Sequence, residues 1–389
     1  ANAAAAASLD DISYTGNGLH VSGWFATDNI DAMPNLFLIL WDNTGNTQAA
    51  SKLVNNVARP DVAQAYSHIK NAGNSGFDTY FNGISLVPGH QYTLVARYSS
   101  NNTGNGDGGA YTNIWFTNKK YTFNLNRTNA GHFDGYTIND GKLVVSGWHA
   151  NDMSALENNH WLILLDSSNG NSEVQRIQVN NVARPDVANA YRSVMTAGNS
   201  GFNGQFDLSK LQAGHMYTLV SRYAVDPNNT AQYTDYWFNN AFTLNKQAYN
   251  IDSFTPIMSK TTDKDGKEST SQITGFHVTG WMASDYSLAQ PNAYLILVND
   301  KGQELARQNV KLTARADVQK AYPAIANSGK SGFSTDLKLG KGITIDSKTN
   351  ESLHLVLRYT NGKDGNQTKT DQVADQNSDV YVIKNGQLA

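Results

Sequence analysis

Short apolar runs alternate along this chain with clusters of Asn, Asp, Gly, Ser and Thr, and the runs are of two kinds. In "LHVSGW", "LVVSGW" and "FHVTGW", ending at Trp24, Trp148 and Trp281, apolar and polar residues alternate with the period of two of a strand that buries one face. In "LFLILWD", "HWLILLD" and "AYLILVN" both faces are apolar, which predicts a strand in the middle of a sheet covered on each side. Clusters such as "DNTGN", "DSSNGN" and "NNTGNGDGG" supply turn chemistry between the runs. A helical period occurs once per copy of a longer motif. After Asp61, Val62, Ala65, Tyr66 and Ile69 fall at i, i+3, i+4 and i+7, predicting a two-turn helix with Asp61 as N-cap and the glycines of "AGNSG" as its stop. Asp186 and Asp317 head the equivalent helices.

That motif is written three times: "VARPDVAQAYSHIKNAGNSGF" from Val57, "VARPDVANAYRSVMTAGNSGF" from Val182, and a looser "TARADVQKAYPAIANSGKSGF" from Thr313. The Gly-Trp strand and the doubly apolar strand precede it each time, and a strand closing on Arg-Tyr follows, at Tyr98, Tyr223 and Tyr359. Two copies then add an aromatic strand, "YTNIWF" and "YTDYWF", where the third has "DVYVI". Arg59, Arg184 and Arg315 stand 125 and 131 residues apart, a domain-sized period rather than that of a solenoid. The fold class expected is therefore all-β: three tandem β-sandwich domains, each with one short helix, over residues 1–126, 127–246 and 247–389.

Composition narrows the partners. Charged residues are only 16% of the 389, the formal net charge is -3, and no basic block or acidic tail occurs, so nucleic acid and anionic membrane are poor partners. No run approaches the roughly 18 apolar residues of a membrane helix. The absence of cysteine excludes disulfides and thiolate chemistry and, with so polar a surface, suits a protein exported by a Gram-positive bacterium. The opening "ANAAAAASLDD" lacks the basic start and Leu-rich core of a signal peptide. A monomer without cofactor is expected.

Candidate chemistry is sparse. No pair of carboxylates is marked as nucleophile and acid, Asp42, Asp166 and Asp207 lie in ordinary turn contexts, and the nine histidines, with His90 and His215 before strands, show no metal spacing. The loop holding Asp263 and Asp265 lacks the later acidic ligand of a calcium loop. In the first copy the only arginines before Arg127 are Arg59 and Arg97, both within the motif. The expected structural role pairs Asp61, Asp186 and Asp317 with Arg97, Arg222 and Arg358 of the Arg-Tyr strand, pinning the helix to the sheet; the alternative is a ligand site using those arginines. Trp24, Trp148 and Trp281 are read as core. Tyr111 with Trp115 and Tyr233 with Trp237, on the late strand beside Gly-rich loops, are either packed in the core or form a sugar-stacking surface, a pair the third copy lacks.

The compound pattern is Arg-Pro-Asp-Val, twelve residues, Ser-Gly-Phe, about twenty residues, Arg-Tyr. It resembles the RDV repeats of the amino-terminal variable region of lactobacillus glucansucrases. Residues 63–74 and 78–96 supply the twelve and nineteen intervening residues of the first copy, and the second copy has the same spacings; the third departs with Ala316 in place of Pro and twenty-four residues before Arg358. The resemblance implies a secreted glycoside-hydrolase family 70 parent, a sucrose-dependent α-glucan transglycosylase, with these repeats outside its catalytic barrel and attached to glucan or cell wall. The function expected is a non-catalytic repeat region binding α-glucan or cell-wall polysaccharide. Alternatives are a spacer without ligand, a modulator of product length, and a surface adhesin.

Overall fold

In the computed structural model, which describes residues 3–15, 18–84, 86–228, 231–374 and 380–389, each copy of the repeat folds into two antiparallel sheets with a shared core. In the first unit β1 (Ala5–Thr15), β2 (Gly18–Thr27) and β5 (Gly76–Phe81) form one sheet in the order β1-β2-β5. The other sheet runs β4 (Thr47–Val54), β3 (Asn35–Asp42), β6 (Gln91–Ser99), β7 (Tyr111–Trp115), with β8 (Tyr121–Thr122) beside the start of β6. The chain passes to the second sheet after β2, returns through helix α1 (Pro60–Ala65) to β5, and crosses again to β6, a Greek-key sandwich of the immunoglobulin-like type. The second unit repeats this order with Ala130–Asn139, Lys142–Ala150 and Gly201–Asp207 in one sheet and Ser172–Val179, Asn159–Asp166, Met216–Ala224 and Tyr233–Thr243 in the other, around α2 (Pro185–Ala190). The third adds strands at the end of its larger sheet and carries α3 (Ala316–Ala321). No described sheet mixes strands from two copies.

Alternation fills the core from both sheets. Leu19, Val21 and Phe25 of β2, Leu36, Leu38 and Leu40 of β3, Phe77 and Phe81 of β5, and Leu94 and Ala96 of β6 form one buried cluster. The doubly apolar strand is central, as expected, but its second face is not covered by another layer. Phe37 and Ile39 are buried there all the same, Phe37 against the loop at Gly104. Across the core, Tyr98, Tyr223 and Tyr359 are buried and donate hydrogen bonds of 2.7 Å to the carbonyls of Phe25, His149 and Met282, joining the two sheets at the same point in each unit.

The helices differ from the expectation. Each spans six residues, its N-cap position is occupied by Arg59, Arg184 or Arg315, and no side chain caps it. Asp61, Asp186 and Asp317 lie inside the first turn with their carboxylates turned to the preceding arginine. In the first copy Val62 and Ile69 are buried while Ala65 is exposed, because the helix ends at Tyr66 and a turn carries Ile69 back under it. The glycines are therefore not the helix stop. Gly76 instead makes room for the arginine. A Cβ there would come within 2.7 Å of the Cγ of Arg59, so only glycine lets the arginine stem lie flat on β5. Gly23 does the same for Phe77, whose ring would stand 3.0 Å from an added Cβ.

The units meet through one repeated device. Asp152 accepts from the backbone N–H of Asn126 in the connecting segment and of Met195 in the motif loop, and Asp285 accepts likewise from Lys246 and Ala326. Both carboxylates are buried, and desolvation raises their pKa above the ordinary value. Met195 then packs on the core of the first unit and Ala326 on that of the second, where the corresponding residue of the first copy, Lys70, is exposed and paired with Asp31. Gln319 donates to the carbonyl of Ile138, and Ile138 donates to that of Pro323, closing the second junction.

Among the described residues the buried histidines, His149 and His160, both lie in the core of the second unit. Ser221 Oγ lies 2.8 Å from His149 Nδ1 and 2.7 Å from His160 Nε2, and the outer ring nitrogens meet Asn129 and Asn181. The first unit has Phe25, Leu36 and Ala96 at these positions. Burial holds His160 at about 4 and His149 well below its ordinary value, so the folded unit keeps both rings neutral. A histidine depressed in the folded state stabilises fully above its unfolded value of about 6.5 and loses that contribution as pH falls towards the folded value. Two such groups give a slope of up to about 2.7 kcal/mol per pH unit. Urea unfolding monitored between pH 7 and 4 is expected to show the second unit weakening steeply, and the triple replacement His149→Phe, His160→Leu, Ser221→Ala to flatten that dependence.

Candidate functional site

The repeated motif is tied to the smaller sheet of each unit, whereas the aromatic strand of the first two units belongs to the larger sheet. At the motif, Arg59 Nε and Nη2 donate to both carboxylate oxygens of Asp61 at 2.9 and 2.8 Å, while Nη1 donates to Asp10 of β1 at 2.7 Å. Arg184 bridges Asp186 and Asp134, and Arg315 bridges Asp317 and Asp252, with the same geometry. The planar fork thus clips the helix head to the first strand of its own unit. The hydrogen bonds from Arg59 and Arg184 hold Asp61 and Asp186 at about 2, and Asp317 is lowered by Arg315. The partnership expected between these aspartates and Arg97, Arg222 and Arg358 is not present; those arginines lie in the other sheet and face away from the helix. Asp10, Asp134 and Asp252 were missed by sequence reasoning. Each is the acid that directly follows the apolar Leu9, Phe133 or Ile251 of the opening strand, a recurrence visible only once the copies are aligned. Trp24, Trp148 and Trp281 pack against Tyr66, Tyr191 and Tyr322 at the helix ends, with ring centroids 5.1 to 5.3 Å apart.

The other arginine organises the aromatic strand. Register places Tyr111, Asn113 and Trp115 of β7 on one outward face opposite Ser99, Arg97 and Val95 of β6. Arg97 donates to Asn113 Oδ1 at 2.7 Å and to the Gly104 carbonyl at 3.0 Å, with its guanidinium 3.9 Å from the centroid of the Tyr111 ring. Trp115 meets Trp41 of β3 edge-on at 6.0 Å. The second unit builds the same arrangement more strongly: Arg222 holds Asp235 with two bonds of 2.7 and 2.8 Å and lies 3.7 Å over Tyr233. Tyr111, Trp115, Tyr233 and Trp237 remain 41 to 47% exposed, far more than folding requires of such side chains. Each pair spans four residues of strand, roughly 13 Å. Beside the second platform stands Trp161, whose indole Nε1 has no hydrogen-bond partner among the described residues.

The third unit keeps the arginine and loses the platform. Arg358 holds Asp371 at 2.7 and 3.0 Å, but Lys369 and Val373 occupy the Tyr and Trp positions. Asn113, Asp235 and Asp371 were not anticipated; the Tyr-x-Asn/Asp-x-Trp spacing on one strand face is the signal that could have found them. His90 and His215 close turns onto Asp42 and Asp166 at 2.7 Å, and Asp263 accepts from the amides of Asp265 and Lys267 within its own turn. Among the described residues no group of three or more His, Asp or Glu side chains is arranged to hold a metal ion.

No family model matches the chain, and no curated protein matches it. Solved structures overlap it only loosely. A fragment of native alpha-2-macroglobulin from Escherichia coli spanning domains MG0-NIE-MG1 is 12% identical, with 94% of this chain and 96% of that one covered at a TM-score of 0.29. A marsupial T cell receptor is 10% identical over 96% of this chain and 100% of that one at 0.21, and the BSP domain of a biofilm associated protein 9% identical over 98% and 66% at 0.16. Overlaps of this size carry no information about function.

The two arginines of a unit are separable by mutation. Arg59→Ala removes the stem that covers Gly76 and unpairs two carboxylates, and is expected to lower the melting temperature of the first unit by several degrees at pH 7. Because Asp61 is depressed in the folded state, its contribution is present above about 4 and is lost as pH falls through about 2, so the variant and the parent converge in acid. Arg97→Ala is expected to leave the fold intact and instead free Tyr111, read as a change in tyrosine and tryptophan fluorescence.

Proposed function

We propose that this chain is a non-catalytic, exported array of sandwich domains that binds a neutral polysaccharide, α-glucan or cell-wall glycan, through the outer sheet faces of its first two units. The observation that carries this reading is the repetition of one arrangement, Tyr and Trp four residues apart with an arginine-held polar residue between them, at nearly half exposure in both. A pyranose ring gains burial of its apolar face on such side chains while its hydroxyls reach the adjoining polar groups. Low net charge fits a neutral ligand. The resemblance of the motif to the RDV repeats supports α-glucan as the polymer and a glucansucrase as the parent. Two weak sites on one chain raise apparent affinity through effective concentration, which gives the duplication a physical purpose. The stapled junctions favour a second role, that of a spacer holding a neighbouring domain at a distance.

Native gels containing dextran, with pull-down on insoluble α-glucan and on purified wall, test this. The chain is expected to be retarded, Trp115→Ala or Trp237→Ala to reduce retardation several-fold, and the double variant to abolish it. Unchanged mobility in every polysaccharide would leave only the spacer. Release of glucose or fructose from sucrose by this chain would overturn the non-catalytic reading.

A further inference from the structure

The third unit has no platform, but it has a pocket of about 670 Å³ between the turn Asp285–Leu288, the start of the strand Asn292–Asn299, the end of the strand Glu304–Val310 and the loop after α3. We infer that this pocket binds the phosphate ester of a polyol, a site chemically distinct from the neutral-sugar platforms of the other units.

Charge is the first reason. Lys311 and Lys330 line the pocket, no acidic residue does, and neither ammonium forms a salt bridge among the described residues. Two unneutralised point charges on one concave surface attract a compact dianion. The second reason is an unmet hydrogen bond. Gln290 also lines the pocket, is only 5% exposed, and its Oε1 has no partner among the described residues. A buried amide oxygen without a donor calls for one, and a hydroxyl supplies it. Asn292, Asn309 and Asn327 add amide groups that both donate and accept, which matches further hydroxyls.

The other copies sharpen the assignment. The positions of Lys311 and Lys330 are held by Asn55 and Asn74 in the first unit and by Asn180 and Asn199 in the second. The position of Gln290 is held by Met33 in the first unit and by Glu157 in the second. The shared fold therefore needs neither lysine, and the one carboxylate found at this place in a sister unit, which would repel a phosphate, is here a neutral amide. Positive charge enters the groove only in the third copy.

Isothermal titration of the full chain with sn-glycerol 3-phosphate at low salt tests the site, with glycerol and inorganic phosphate as separate probes. Saturable, salt-sensitive binding is expected, at least tenfold tighter than either probe. The exposed double replacement Lys311→Gln, Lys330→Gln is expected to weaken it at least tenfold and Gln290→Met several-fold, with thermal midpoints confirming that both variants fold. The Trp115→Ala, Trp237→Ala chain should bind as the parent does, which separates failure here from failure of the platforms. A poly(glycerol phosphate) chain binding more tightly than the monomer identifies a polymer as the source, and equal affinity a free metabolite. The inference is overturned by absent saturation, by lysine variants that bind unchanged, or by inorganic phosphate binding as tightly as the ester.

Discussion

The structure of each unit depends on a close approach between an arginine stem and a glycine. Arg59 can reach both Asp61 and Asp10 only by lying flat across Gly76, and β5 can carry Phe77 into the core only because Gly23 leaves room for its ring. The ion pair itself is half-exposed, and exposed pairs contribute modestly. Its value lies in direction, since the bidentate fork fixes the helix head against the strand beneath. The same contacts recur at Gly201 with Arg184 and at Gly332 with Arg315, which is why the motif tolerates changes in its helix but keeps Arg, Asp, Ser, Gly and Phe in all three copies.

A second constraint is set by the buried aspartate that ends the Gly-Trp strand. It ties the incoming connection to the motif loop of its own unit, and the loop residue it binds is apolar where a preceding unit covers it, as with Met195 and Ala326, and charged at Lys70, where it is exposed. Joining units and closing each unit therefore use the same few atoms. Such an arrangement limits bending at the junctions and holds the outer sheet faces in a set order along the chain.

The two arginines of a unit divide its labour. One belongs to the latch and is shared by all three copies; the other stands under the outward face, and its surroundings diverge. In the first two units it props an exposed Tyr and Trp; in the third it is more deeply buried against Asp371, with Lys369 and Val373 at the Tyr and Trp positions. The three copies share the scaffold while their surfaces differ, the expected outcome when the residues that carry packing are not the ones on the outer faces.

Much of this was legible in the amino-acid order. Period-two runs, the 125- and 131-residue spacings and the turn clusters predicted all-β units with a short helix, whereas the place of Tyr111, Trp115, Tyr233 and Trp237 on a strand beside Gly-rich loops left core and surface both open, and the folded sheets leave all four exposed. What the sequence could not reveal was which partner each charge would choose. Arg59, Asp61 and Arg97 are equally compatible with several pairings along the chain, and only the folding of β1 beside β2 brings Asp10 to Arg59 while turning Arg97 to the far face with Asn113. Local pattern specifies which face of a strand is wet because that depends on neighbours two residues away; pairing across the sandwich depends on groups dozens of residues apart, and is decided only when the sheets close.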